Sequence, residues 1–174
     1  MTARPQSDPD AAGGLTHLDA LGRARMVDVT AKPLTRRVAV ARCAVVTALD
    51  AAAALSDARD GTNPVEAARL AGVQGAKQTS SLIPLCHPIR VDRVSVDVEV
   101  TTHRIEITAV AEIVARTGVE MEALTACAVA GLALIGSLVD LDPTASIEDL
   151  TLWQKSGGRS GEWQRGSSAT HRVP

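Results

Sequence analysis

One apolar stretch, residues 116–139 (RTGVEMEALTACAVAGLALIGSLV), constrains the fold of this chain more than any other feature. It is long enough for about six turns of α-helix. A helix that is apolar on every side is buried, either in a domain core or between subunits. Thr117 and Glu120 have the spacing of a capping box, which predicts a helix start at this point. We therefore expect a central buried helix, part of which lies in a subunit interface.

Two carboxylates, Glu120 and Glu122, interrupt the apolar run near its start. Burying a carboxylate is costly unless it is paired or hydrogen-bonded. On ideal helical geometry the two side chains point about 200° apart, so they need different partners. Glu120 is interpreted either as the capping-box residue or as a site residue, and Glu122 is the stronger candidate for a functional role.

Composition limits the classes of function that the chain can have. The 174 residues suffice for one domain. The net charge is −2 and neither Phe nor Tyr occurs, so the basic face and aromatic platforms of nucleic-acid binders are missing. We expect no nucleic-acid partner.

The cysteines and the apolar segments predict a cytoplasmic setting. Cys43, Cys86 and Cys127 are odd in number and lack paired spacing, which favours reduced thiols. No second Cys or His lies at zinc-ligand spacing from His87, so no metal is expected. Residues 1–14 lack the apolar core of a signal peptide, and 123–139 is too short and too rich in Ala and Gly for a membrane span.

The hydrophobic pattern predicts an α+β fold. Alternating apolar residues indicate strands, while Ala-rich or amphipathic segments indicate helices. Asn63 is expected to cap the second helix, whose candidate buried residues are Val65, Ala68, Leu70, Ala71 and Val73. In order, the predicted elements are a strand at 35–46, helices at 47–59 and 64–77, a hairpin at 91–113, the buried helix, and a strand at 147–153. This is the ferredoxin-like split βαβ order, a four-stranded antiparallel sheet with helices on one face.

Two loops are the remaining candidates for function. In residues 78–90 (QTSSLIPLCHPIR), Pro84 and Pro88 restrict the backbone on both sides of His87, which makes a held catalytic His as plausible as a structural one. Residues 155–161 (KSGGRSG) form a basic glycine-rich loop, in which backbone amides can approach an anion. The alternative for that loop is a disordered basic tail. We expect a domain at 15–163 between disordered tails at 1–14 and 164–174.

Four strings together resemble one family: MVDVTAK (26–32), ARLAGVQGAKQTSSLIPLCHPI (68–89), TGVEMEALTACAVA (117–130) and KSGGRSG. They are similar to the cyclic pyranopterin monophosphate synthase family, the C protein of molybdenum cofactor biosynthesis. The resemblance implies a ferredoxin-like fold, a homohexamer built as a trimer of dimers, and a site at the dimer interface. It also implies conversion of a cyclised dihydro-GTP to cyclic pyranopterin monophosphate with release of diphosphate, without a redox cofactor.

The resemblance also assigns site residues by position. The catalytic candidates are Lys77, His87, Glu120 and Glu122. The substrate-binding candidates are Leu85, Cys86, His87, Met121, Glu122, Arg37, Lys155 and Arg159. A triphosphate favours Lys and Arg, and the ring rearrangement requires several proton transfers.

Three catalytic positions of the family are substituted. The family's Asp falls on Gly136, and two of its lysines fall on Val139 and Gly61. Asp140 is one turn beyond Gly136 on the same helix face. Three hypotheses stay open: a divergent enzyme with the family reaction, a non-catalytic homologue that binds a nucleotide-like ligand or a paralogous subunit, and an enzyme with a related reaction.

Overall fold

The computed structural model describes residues 21–56 and 63–166, in which strands and helices follow the predicted order. The elements are β1 (Thr35–Val46), α1 (Ala51–Ser56), α2 (Pro64–Leu82), β2 (Arg93–Val100), β3 (Arg104–Ala115), α3 (Glu120–Leu138), β4 (Ser146–Ser156) and β5 (Trp163–Gln164). The predicted tail at 1–14 and residues 167–174 of the C-terminal tail lie outside the described residues.

The strands form one antiparallel sheet in the order β2-β3-β1-β4-β5. β1 and β3 pair along their whole length, from Thr35 opposite Ala115 to Val46 opposite Arg104. The predicted α+β ferredoxin-like fold is confirmed. The sheet has one strand more than expected, because Trp163 and Gln164 add a two-residue edge strand to β4.

One face of the sheet carries the core. Side chains alternate across a strand, and the alternate residues of β3 from Ile105 to Ile113 are all buried. Val96 and Val98 of β2 extend the same layer, as do the alternate residues Ala39, Ala41, Cys43 and Val45 of β1. The predicted hairpin is therefore confirmed. α3 packs on this layer, and α2 packs on α3 and β2.

The long apolar helix is only partly buried by its own chain. Ala126, Ala130 and Leu134 are fully inaccessible, whereas Leu132 is 60% exposed. By length and composition α3 resembles a membrane span, but half of that segment is buried inside the chain, as expected of a core helix.

The start of α3 differs from the prediction. The helix begins at Glu120, and Val119 is its N-cap without a side-chain hydrogen bond. The capping-box assignment to Thr117 and Glu120 is therefore wrong. Because Val119 is the N-cap, Glu120 is the first residue of the helix and not the third, and its carboxylate pairs with Lys155.

The two earlier helices also differ in extent. Asn63 caps α2 as predicted, but α2 continues to Leu82, and Leu70 is 71% exposed rather than buried. The residues of α2 that face α3 include Gly72 and Gly75, because the helix axes approach too closely for larger side chains. α1 begins only at Ala51, four residues after the predicted start, and the predicted end at 57–59 lies outside the described residues.

Polar groups hold the chain ahead of α1. The buried Asp142 accepts hydrogen bonds from Thr47 Oγ1 at 2.6 Å and from the backbone N of Ala48 at 2.8 Å. Its other oxygen accepts from the backbone N of Thr144 at 3.0 Å. These bonds hold the pKa of Asp142 well below its usual range and tie the end of α3 to the end of β1.

Candidate functional site

The first turn of α3 carries a buried carboxyl group close to a cysteine. Glu122 is only 4% exposed, and burial raises its pKa, with a smaller contribution from the charge of Glu120. Burial also raises the pKa of the Cys86 thiol, and the Glu122 carboxylate raises it further. The charge of Glu122 thus acts on the predicted residue Cys86, and a buried carboxyl with a raised pKa is a candidate for proton transfer.

Glu120 has a cationic partner on strand β4. Lys155 Nζ lies 3.4 Å from Glu120 Oε1, and both side chains are about one third exposed. The pairing of β4 with β1 sets Lys155 opposite Ala39, which carries the lysine to the first turn of α3. The structure thus joins the KSGGRSG segment to the GVEMEALT segment, as a shared site requires.

Glycines allow the basic loop to pack against the start of β1. Gly158 has φ +72°, and a Cβ there would lie 2.3 Å from Arg37 Nη1. Gly157 has φ +91°, and its Cβ would lie 2.1 Å from the backbone oxygen of Arg36. At Gly157 the left-handed conformation and the backbone contact both exclude a side chain, whereas at Gly158 the conformation disfavours one and the Arg37 guanidinium would have to move. From the sequence, these glycines are predicted to let backbone amides approach an anion. In the structure they also allow the loop to pack against β1.

Arg37 is held by the backbone next to the site. Its Nε donates to the Ala115 oxygen at 3.3 Å, and its Nη2 donates to the Arg116 oxygen at 3.1 Å. The predicted phosphate ligand therefore already satisfies two carbonyl groups of the chain.

The proline-flanked segment contains a strained residue. Leu85 has φ 67°, in the left-handed region that costs a non-glycine residue about 1–2 kcal/mol. Such strain persists where the surroundings enforce it, often at binding sites. It directly precedes Cys86 and His87, so the backbone of this segment is fixed, in keeping with the sequence analysis.

His87 lines a cavity of about 390 Å³ that the sequence analysis did not anticipate. Its other lining residues include Val29, Leu34, Arg90, Asp92 and Arg116. Two features of the sequence could have indicated this cavity. One is the MVDVTAK string, which contains Val29, and the other is Arg90, three residues after His87.

Lys77 and two of the substituted positions lie at exposed places on α2 and at the end of α3. Lys77 is exposed on α2 and has no polar partner among the residues that the structure describes. Gly136 and Val139 lie at the other end of α3, where both are exposed. Gly61 lies outside the described residues. Of the predicted binding residues, Met121 is exposed on the first turn of α3 and Arg159 is exposed in the glycine-rich loop.

No group of three or more His, Cys, Asp or Glu residues within the described ranges is arranged to hold a metal ion. All three cysteines carry free thiols, with Cys43 and Cys127 buried in the core. Proton transfer and electrostatic binding are the chemistry that the side chains themselves supply.

Comparison with known proteins assigns the family. The family model described as the MoaC family matches residues 26–158. The chain belongs to the MoaC family. It is 49% identical over 154 residues to the cyclic pyranopterin monophosphate synthase of Thermomicrobium roseum. The aligned region covers 87% of this chain and 93% of that protein.

Two further relatives agree. The cyclic pyranopterin monophosphate synthase of Streptomyces coelicolor is 44% identical over 160 residues, covering 91% of this chain and 94% of that protein. Cyclic pyranopterin monophosphate synthase 1 of Mycobacterium tuberculosis is 45% identical over 161 residues. The aligned region covers 91% of this chain and 95% of that protein. The MoaC match includes the Cys86–His87 segment, both glutamates and Lys155, and ends just before Arg159.

Proposed function

We propose that this MoaC-family chain is a lyase of the cyclic pyranopterin monophosphate synthase type, acting in molybdenum cofactor biosynthesis. It converts the cyclised dihydro-GTP, 3',8-cyclo-7,8-dihydroguanosine 5'-triphosphate, to cyclic pyranopterin monophosphate and releases diphosphate. The observation that carries the proposal is the buried Glu122, whose charge acts on the Cys86 thiol. Glu120, on the same helical turn as Glu122, pairs with Lys155 of β4. The relatives that bear this name support it.

The residues divide into proton-transfer and binding groups. Burial raises the pKa of Glu122 above its usual range, and we assign it the role of donating and accepting protons as the rings open and close. His87 and Lys77 are the other proposed proton carriers, and Glu120 sets the position of Lys155. Leu85, Cys86 and Met121 shape the pocket, while Arg37, Lys155 and Arg159 attract the phosphates.

In the family arrangement, a second copy of the chain would bring position 136 to the site at the start of α3. Gly136 is sixteen residues beyond Glu120, which corresponds to about 24 Å along a helix. Groups at the two ends of one α3 therefore cannot touch one small substrate within a single chain. We propose a site at a dimer interface, in a homohexamer built as a trimer of dimers in the cytoplasm.

The first test is turnover of the cyclised dihydro-GTP by the purified protein, with diphosphate and the pterin product both followed. We expect the two products to form in equal amounts. Turnover would assign the proton transfers to groups other than positions 61, 136 and 139, with Asp140, Lys77 and His87 as the next residues to substitute. Substrate binding without either product would instead favour the non-catalytic homologue.

A restoration variant sharpens the test. Gly136→Asp, Val139→Lys and Gly61→Lys together supply the substituted groups. The first two positions have room, since a Cβ at Gly136 meets nothing within 4 Å and Val139 is 46% exposed. We expect turnover to rise by about 100-fold, the lower range for one positioned acid–base group. No gain in a correctly assembled variant would mean that the pocket serves a different reaction.

A further inference from the structure

The cavity beside His87 holds two guanidinium groups to which the proposed function gives no role. Arg90 and Arg116 both line it. Its acidic lining residue is Asp92, whose Oδ2 accepts a hydrogen bond from the backbone N of Val114 at 2.8 Å. With two arginines and a histidine against one engaged carboxylate, the cavity favours an anion.

These two arginines are available to a ligand. Within residues 21–56 and 63–166, Arg90 has no hydrogen-bond or ion-pair partner. Arg116 donates through Nε to the backbone oxygen of Lys32 at 2.9 Å, which fixes the side chain. Its two terminal nitrogens have no partner among the same described residues. One arginine is therefore held in position, and both retain donors that no residue of the described ranges occupies.

Two of the cations predicted from the sequence to bind the phosphates are less available to an anion than Arg90 and Arg116. Arg37 donates to two backbone carbonyls, and Lys155 is paired with Glu120. An anion that binds to them must share or displace those partners. Planar guanidinium groups with free donors can bind phosphate oxygens with two parallel hydrogen bonds each.

From this arrangement we infer that Arg90 and Arg116 add a second cationic subsite for the phosphate end of the nucleotide-derived substrate, next to Arg37. The cavity volume lies in the range of about 300–1000 Å³ that is typical of small-molecule sites. His87 lies in the cavity wall and directly follows Cys86 in the chain, so the phosphate subsite borders the segment proposed to take part in proton transfer. The inference rests on the proposed function for the identity of the substrate, and on the cavity for the location.

Diphosphate binding tests the location without turnover. Diphosphate is titrated calorimetrically into the wild-type protein, Arg90→Gln and Arg116→Gln at low salt. The matched control is Arg93→Gln, which removes the same charge three residues away, where the side chain pairs with Glu112 outside the cavity. We expect each cavity variant to bind diphosphate about tenfold more weakly, as for loss of one charge-assisted hydrogen bond. The control should change binding by less than about twofold.

Kinetics test the role in the reaction. In Arg90→Gln and Arg116→Gln we expect KM for the cyclised dihydro-GTP to rise about tenfold while kcat stays within about threefold, because the phosphates bind alike in the ground and transition states. Arg90→Lys should recover part of the loss, since it keeps the charge without the planar fork.

The outcomes separate the two proposals. Diphosphate binding that is absent in the wild type, or equal in the wild type and both cavity variants, would overturn the subsite. Arginine-dependent diphosphate binding without any turnover would support the subsite and refute the proposed reaction. Unfolding midpoints of the variants, with Arg116→Lys as the alternative if Arg116→Gln is unstable, show that a loss of binding is not a loss of fold.

Discussion

Glu122, the residue proposed for proton transfer, is a buried carboxyl whose ionisation opposes folding. It lies on a helix that is otherwise apolar, and burial raises its pKa. The folded state therefore favours the protonated carboxyl more than the unfolded chain does. The carboxyl stabilises the fold fully below its unfolded pKa of about 4.3, and this contribution is lost as pH rises through the raised folded pKa.

Glu122→Gln should therefore lower turnover. Its stability relative to the wild-type protein should increase as pH rises. The amide keeps the shape and never ionises. We expect a fall in turnover of at least about 100-fold. Thermal unfolding between pH 4 and 8 should show a midpoint above that of the wild type by a few degrees at the upper end, the shift for about 1 kcal/mol in a chain of this size.

The control for this substitution is Glu99→Gln, an exposed residue of β2. It should leave both turnover and the pH dependence of unfolding unchanged. A difference between Glu122→Gln and the wild type that stays constant from pH 4 to 8 would contradict a raised folded-state pKa for Glu122.

At the scale of elements, the contact between α2 and α3 fixes the distance between the two sequence segments of the site. A Cβ at Gly72 would lie 2.9 Å from the backbone oxygen of Ala126 and 3.0 Å from Val96 Cγ2. Because a backbone oxygen cannot move aside like a flexible side chain, the helices would have to separate.

Gly72→Ala and Gly136→Ala should have opposite effects on stability. Both glycines lie within helices, so alanine gains about 1 kcal/mol of helix propensity at either position. At Gly136 nothing lies within 4 Å of the new methyl group, and the gain should appear in full. At Gly72 the overpacking cost of about 1–3 kcal/mol should outweigh it. Chemical denaturation of both variants measures the difference, and equal stabilisation would show that the helices are not closely packed at Gly72.

At the scale of the whole molecule, the described chain leaves large apolar side chains exposed on the outer side of α3 and just beyond it. They include Leu132, Val139 and Leu141. Contiguous apolar surface of this kind marks an interaction site. Together with the distance between the two ends of α3, this surface supports assembly of several copies.

Leu132→Lys should dissociate the proposed hexamer without unfolding the chain, because it places a charge where apolar surface would be buried. Sedimentation velocity should show a species of several chain masses for the wild type and a smaller species for the variant. Leu150→Lys, at an exposed position on β4, is the matched control and should stay assembled. A monomeric wild-type protein would refute the proposed interface.

The sequence by itself determined the order of the elements and the core face of the sheet. Alternation of Ile105, Ile107 and Ala109 specifies one buried face of a strand, and Asn63-Pro64 specifies a helix start. These signals are local, because the side-chain period and the capping groups lie within a few residues of chain. The family strings supplied the candidate site residues in the same way, through short segments.

Tertiary structure decided which of these segments meet and how each charge is used. The pairing of Lys155 with Glu120 depends on the register of β4 against β1, and it replaced the capping box that spacing alone predicted. The exposure of Leu70 depends on the close approach of two helices at glycines, which no pattern within α2 reveals. The cavity joins Val29, His87 and Arg116, which are far apart in sequence. Contacts of that kind depend on how distant segments pack, so only the folded chain defines them.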